Sequence, residues 1–107
     1  MRDWFFEKDN SGLQFGYLIE KSLYNKKSKF QEIRVVETSA YGRMLIIDDF
    51  VMLTEFDEFV YHEMMSHIPL SYHSNPKRVL VIGGGDGGTV RELIKHQDLE
   101  EITLCEI

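Results

Sequence analysis

Arg78-Val79-Leu80-Val81-Ile82-Gly83-Gly84-Gly85-Asp86-Gly87-Gly88 decides how the rest of the chain is read. Four consecutive aliphatics, Val79 to Ile82, run into five glycines and one carboxylate. Such a run predicts a strand buried on both faces, and Thr89 to His96 after the loop predicts a helix. Gly83, Gly85 and Gly88 fit G-x-G-x-x-G, whose glycines permit a tight turn and a close approach of backbone to a nucleotide. Alone, that pattern is weak. A second apolar run, Ile102 to Cys105, leads to Glu106, eighteen residues beyond Gly88, where an acid that grips ribose hydroxyls belongs. Strand, glycine loop, helix, strand and acid together predict a nucleoside cradle of Gly83, Gly84, Gly85, Gly87, Gly88 and Glu106. Asp86 is the unusual member of that loop.

Working outward, 107 residues suffice for one modest domain, or for a small domain and part of another. No apolar run approaches eighteen residues, and Arg2-Asp3-Trp4-Phe5-Phe6-Glu7 is not a basic-then-apolar leader, so a soluble protein without a membrane segment is expected. The single cysteine, Cys105, excludes an intrachain disulfide, and its apolar neighbours predict a buried, reduced thiol and a cytoplasmic setting. A net charge of −6 argues against nucleic acid as partner. The acids are also concentrated. From Met44 to Pro76 there is no Lys or Arg, while Asp48, Asp49, Glu55, Asp57, Glu58 and Glu63 lie in that window. Either this is a solvated face or a field that draws a cation toward the glycine loop.

Before residue 56 the pattern is that of short strands. Trp4, Phe5 and Phe6 read as a packing plug ending near Ser11-Gly12. Gln14 to Ile19, Phe30 to Val36, Arg43 to Ile47 and Phe50 to Leu53 read as about four antiparallel strands, with a polar turn over Asn25 to Lys29 and a two-residue hairpin at Asp48-Asp49. Thr54 or Asp57 can cap a following helix, in which Phe56, Phe59, Val60 and Met64 recur at helical spacing and which Pro69 and then Asn75-Pro76 end. Pro76 marks a boundary. The expected organisation is a β-strand domain over 1–55, a helix and connection over 56–76, and a strand-loop-helix-strand unit over 77–107. His62 and His67 are five apart, so on a helix they diverge by roughly 140° and no zinc pair or other metal site is expected. His73 and His96 read as structural.

Thr54-Glu55-Phe56-Asp57-Glu58-Phe59-Val60-Tyr61-His62-Glu63-Met64-Met65, His67-Ile68-Pro69-Leu70, Asn75-Pro76-Lys77, the glycine loop and Arg91-Glu92-Leu93-Ile94-Lys95-His96 together resemble the spermidine synthases, the polyamine aminopropyltransferase family. The resemblance runs from about residue 13 to the last residue. It implies an α/β fold, with a small N-terminal antiparallel β-domain followed by the start of a Rossmann-like, methyltransferase-type parallel sheet. It implies an aminopropyl transfer from decarboxylated S-adenosylmethionine, a co-substrate, to putrescine, with no cofactor, in a homodimer or homotetramer. Gln31 then matches a residue holding the nucleoside donor, Tyr61 and His62 the pair facing the polyamine and aminopropyl site, Asp86 the amine-binding aspartate, and Glu106 the ribose acid. Asp49 stands where the family usually has glycine, and Met52 where many members have glutamine. Members of the family are longer, and their catalytic aspartate has no counterpart in these residues. The resemblance thus implies an N-terminal portion, inactive alone and without a catalytic residue of its own.

The loop and Glu106 without the resemblance fit an S-adenosylmethionine-dependent methyltransferase equally, and the β-domain could serve a non-catalytic assembly module. Asp86 separates the first two. S-adenosylmethionine carries a carboxylate on the chain leaving sulfur, which a fixed anion repels; its decarboxylated form carries only an ammonium there, which Asp86 attracts. The competing role for Asp86 is a cap on the following helix.

Overall fold

The computed structural model describes residues 3–107, which divide by packing into two units, one ending at Asp57 and the other running from Glu58 to Ile107. Pro76 falls inside the second.

The first unit is a five-stranded antiparallel sheet in sequential order: β1 (Asp3–Lys8), β2 (Gln14–Lys27), β3 (Glu32–Thr38), β4 (Gly42–Ile47) and β5 (Phe50–Thr54). It has one strand more than the expected four, because the aromatic trio is itself a strand. Alternation sends Phe5 into the core and leaves Trp4 and Phe6 stacked on each other on the other side, half-exposed. Only Phe5 acts as the packing plug. β2 is long enough to pair with β1 through Gln14–Ile19 and with β3 through Ile19–Lys27, and two register shifts let it bend between them. Lys26 and Lys27 therefore belong to the strand, and the turn begins at Ser28. Phe5, Val36, Met44 and Ile46 form the core, with Tyr17, Ile19, Tyr41 and Val51 packed around it.

The β4–β5 hairpin turns on Asp48 and Asp49, with Ile47 opposite Phe50. Both aspartates have positive φ, 50° and 68°, the geometry of a primed two-residue turn that matches strand twist. Met52 lies at the bulge in this hairpin, since Leu45 pairs with Leu53 and Ile46 with Val51.

The second unit comprises α1 (Glu58–Tyr72), β6 (Arg78–Ile82), α2 (Gly88–Leu93) and β7 (Glu101–Cys105), with β6 and β7 parallel and in register from Arg78 opposite Glu101 to Ile82 opposite Cys105. Three expectations are corrected here. Pro69 lies inside α1: a proline forfeits only its own N–H bond, and the helix continues to Tyr72. The α1 residues buried are His62 and Ser66, while Phe59, Val60 and Met64 are exposed. His62 and Ser66 are one turn apart, so they share a face, and that face meets α2: the Ser66 hydroxyl donates to the Thr89 carbonyl at 3.2 Å. Third, β6 buries Val81 but leaves Leu80 and Ile82 exposed, and Cys105 is exposed too. Leu80 and Ile82 alternate to the face opposite Val81, and among the described residues that face is left uncovered, so the apolar run is not enclosed on both faces. No helix among the described residues is long and apolar enough to cross a membrane.

Candidate functional site

The glycine loop joins the end of β6 to the start of α2, and each glycine has its own reason to be there. Gly83, Gly84 and Gly87 have φ of 80°, 73° and 83°, which side-chain-bearing residues rarely adopt. Gly85 and Gly88 do not; they are glycines for want of space. A Cβ on Gly85 would lie 2.7 Å from Glu106 Oε2, and a Cβ on Gly88 would overlap the His62 ring.

Glu106 directly follows β7, with its carboxylate turned back over the loop. Oε2 accepts the Gly85 N–H at 2.8 Å, and Oε1 accepts the Ile107 N–H at 2.9 Å. The carboxyl ends of β6 and β7 are thus bridged by a side chain, besides the Gly83 N–H bond to the Cys105 carbonyl at 2.8 Å. That is the end of a parallel sheet at which open α/β folds bind ligands.

Asp86 Oδ1 accepts the Gly88 N–H at 2.7 Å, bonding the first amide of α2 from one residue ahead of the N-cap, Gly87, which has no side chain to cap with. The same oxygen lies 3.1 Å from His62 Nε2. The other nitrogen of His62, Nδ1, meets the Glu58 carboxylate one turn earlier on α1. Glu58 is in turn gripped by the two-pronged Arg91 guanidinium, Nη1 to Oε1 at 2.9 Å and Nη2 to Oε2 at 2.8 Å. Arg91 first and His62 second hold the Glu58 carboxyl down from its ordinary 4.5 to about 2. His62 is 2% exposed and sits in the middle of this chain of charges. Tyr61 is exposed, its ring edge-on to His62 at 5.3 Å.

Among the residues singled out from sequence, His62, Asp86, Gly85, Gly88 and Glu106 are therefore joined by direct contacts, with Tyr61 beside them. Gln31 belongs to the first unit, at the mouth of the β2–β3 hairpin. Its backbone is fixed there: Ser28 Oγ accepts the Gln31 N–H at 3.0 Å, and the Gln31 carbonyl accepts the Ser28 N–H at 2.8 Å. Next to it, Asp48 Oδ1 accepts the Glu32 N–H at 2.8 Å.

Sequence reasoning missed Glu58 and Arg91 as site residues. The Glu58–His62 spacing of four on a helix was available as a signal; Arg91 is thirty-three residues from Glu58 and gave none. It also missed that His96 has a partner, His67 Nδ1 at 2.7 Å from its Nε2. Half of the acidic window is paired: Asp49 with Arg34, Glu55 with Arg43 and Glu58 with Arg91.

Family models match nearly the whole chain. One described as the spermine/spermidine synthase domain matches residues 58–107, and one described as the spermidine synthase tetramerisation domain matches residues 3–55. The chain belongs to the spermidine synthase family. The polyamine aminopropyltransferase of Clostridium kluyveri is 51% identical over 104 residues, which are 97% of this chain and 38% of that protein. That of Shouchella clausii is 50% identical over 107 residues, all of this chain and 39% of the relative. The crystal structure of spermidine synthase from Thermotoga maritima superposes with a TM-score of 0.94 at 42% identity, covering 98% of this chain and 37% of its own. A spermidine synthase in complex with the transition state analogue AdoDATO superposes equally well. The chain thus spans about two fifths of the length of these relatives. Its fold is the family's α/β arrangement: a small antiparallel β unit, then the start of a Rossmann-like parallel sheet.

Proposed function

We propose that this chain carries donor- and amine-binding residues of a spermidine synthase, an enzyme that moves an aminopropyl group from decarboxylated S-adenosylmethionine to putrescine. The observation that carries the reading is Asp86, a carboxylate held inside a nucleoside loop by the Gly88 amide and by His62.

The chemistry asks little beyond alignment. The amine nitrogen attacks the carbon bound to sulfur, the carbon–sulfur bond breaks, and sulfur leaves as a neutral thioether, so no acid need protonate the leaving group. An alkylamine is almost wholly protonated at neutral pH; it must be bound as a cation and then give up a proton. In this reading Asp86 holds the donor's ammonium, Glu106 takes the ribose hydroxyls in place of the loop amide it now accepts from, Gln31 supports the nucleoside, and Tyr61 and His62 line the amine side. No carboxylate of this chain is assigned the role of base, so the isolated chain is expected to bind donor without turning it over. The strand unit, residues 3–55, is assigned to subunit assembly as a homodimer or homotetramer. An exposed cysteine suits a reducing compartment, and the cytoplasm goes with the reading.

Calorimetric titration tests it. Decarboxylated S-adenosylmethionine should bind more tightly than S-adenosylmethionine, and Asp86→Asn should abolish most of the difference. Equal affinities for the two would exclude the role given to Asp86 and favour a methyltransferase.

A further inference from the structure

We propose that Glu58 and Arg91 are positioning residues for Asp86 and act through His62: Arg91 fixes the Glu58 carboxylate, Glu58 holds a proton on His62 Nδ1, and the ring presents a second N–H, on Nε2, to Asp86. The proposal rests on the reading of Asp86 as the donor-binding carboxylate, and it concerns two residues outside that assignment.

The argument begins with the ring. A neutral imidazole has one N–H and one lone pair. His62 has a carboxylate oxygen against each nitrogen, Glu58 Oε2 at Nδ1 and Asp86 Oδ1 at Nε2. In a neutral ring one of those oxygens would face a lone pair at hydrogen-bond distance. Both contacts are favourable only when both nitrogens donate. An imidazolium buried to this degree is costly unless its charge is matched. It is matched here, because Arg91 and His62 supply two positive charges against the two negative charges of Glu58 and Asp86. The remaining charged neighbour is Glu92, whose Oε1 lies 3.8 Å from Arg91 Nη2 and accepts from Lys95 at 2.9 Å. Glu92 is thus served by its own cation and leaves the Arg91 fork to Glu58.

Geometry keeps the ring from escaping. It packs directly on Gly88, where a methyl group could not fit, and Tyr61 stands edge-on to it. Asp86 Oδ1 then accepts the Gly88 amide and lies 3.1 Å from His62 Nε2, an ion-pair contact. With one oxygen turned to these two groups, the other is the one that meets a ligand. Without Glu58 the loop would still form, since its glycines and Glu106 are untouched, but Asp86 would lose the cation that sets its direction.

The test uses the 107-residue chain labelled with 15N in histidine, and long-range proton–nitrogen spectra at pH 7, in which protonated and bare ring nitrogens resonate far apart. His62→Gln assigns the signal. His62 should show two protonated nitrogens in the parent chain, whereas Glu58→Gln, which keeps the shape and removes the charge, should show one bare nitrogen. Affinity for decarboxylated S-adenosylmethionine should fall about tenfold in Glu58→Gln, and Arg91→Lys should recover part of what Arg91→Met loses. Should Glu58→Gln fail to fold, Arg91→Met and Arg91→Lys carry the same comparison of ring protons. A bare nitrogen on His62 in the parent chain would overturn the proposal. So would a ring spectrum unchanged in Glu58→Gln, whatever the affinity does. If the chain bound no donor at all, the functional reading would fall, and the ring spectra would still decide whether Glu58 holds the proton.

Discussion

In residues 3–57 the enclosed apolar side chains are Phe5, Val36, Met44 and Ile46, with the hydroxyls of Thr38 and Thr54 as the enclosed polar groups and ion pairs such as Arg43–Glu55 at the rim; in residues 58–107 the enclosed set is His62, Ser66 and Glu92 beside Val81 and Leu93. One unit is organised around a dry cluster, the other around a network of partnered polar groups. The difference matters because the two respond to opposite insults. An apolar cluster is damaged by lost volume, which costs both transfer energy and a cavity. A polar network is damaged by an unmatched partner or an intruding atom, because a buried donor or acceptor left alone has no water to turn to.

The largest effect should come from the dry cluster. Met44 is 0% exposed, and Met44→Ala should destabilise the first unit by about 2–5 kcal/mol in denaturant titration. Gly88→Ala, which adds one carbon against His62, should cost the second unit about 1–3 kcal/mol. Donor affinity should fall with it, as the ring is pushed off Asp86. The double variant His62→Ala with Gly88→Ala should recover part of the stability and none of the affinity. A loss on Gly88→Ala that His62→Ala does not relieve would break the contrast, since the glycine would then owe its presence to the backbone rather than to the ring.

In both units the features encoded by neighbouring residues were legible in sequence, and the contacts between distant ones were not. The Val79–Ile82 run, the glycine loop and Glu106 announced a parallel pair with a glycine turn after its first strand, because strand, turn and acid are encoded within thirty residues. The Asp48-Asp49 turn was legible for the same reason. β1 was missed because six residues with three adjacent aromatics show too little alternation to separate a strand from a plug. Pro69 was overread, since a breaker near the end of a helix removes one bond and need not end it. The Glu58–Arg91 and His67–His96 contacts join residues thirty-three and twenty-nine apart, and no local period marks them. Even the meaning of two glycines changed: Gly85 and Gly88 make room for Glu106 and His62, side chains of this chain, rather than for a nucleotide alone.

Acid should separate the units next. Glu58 titrates near 2 in the folded chain against its ordinary 4.5, chiefly through Arg91. A depressed carboxyl stabilises the fold fully above the unfolded value, and that contribution disappears as pH falls from about 4.5 to about 2. Discounted for solvent screening of the half-exposed Arg91, it amounts to about 1 kcal/mol. Thermal melts of the chain from pH 5 downward should show the loss, and Arg91→Met should flatten it. If Arg91→Met left the slope unchanged, Glu58 would not be the group responsible.

The smallest effect belongs to a polar feature of the first unit. Asp48 and Asp49 both occupy left-handed backbone, which costs most residues about 1–2 kcal/mol and aspartate less. Glycine is the residue best suited to the second position of such a turn, so Asp49→Gly relieves strain. Against that gain stand the ion pair of Asp49 with Arg34 and the greater freedom of glycine in the unfolded chain. Because the Asp49 side chain is 81% exposed, the ion pair contributes little, and the net change should lie within about 0.5 kcal/mol of zero. Asp48→Gly is the sharper comparison. It relieves the same strain but removes the acceptor that binds the Glu32 amide beside Gln31, and it should destabilise by about 1 kcal/mol. Equal outcomes for the two aspartates would mean that backbone conformation alone governs the turn. Unequal ones would show that a carboxylate in this unit, as in the other, is kept for the amide it holds.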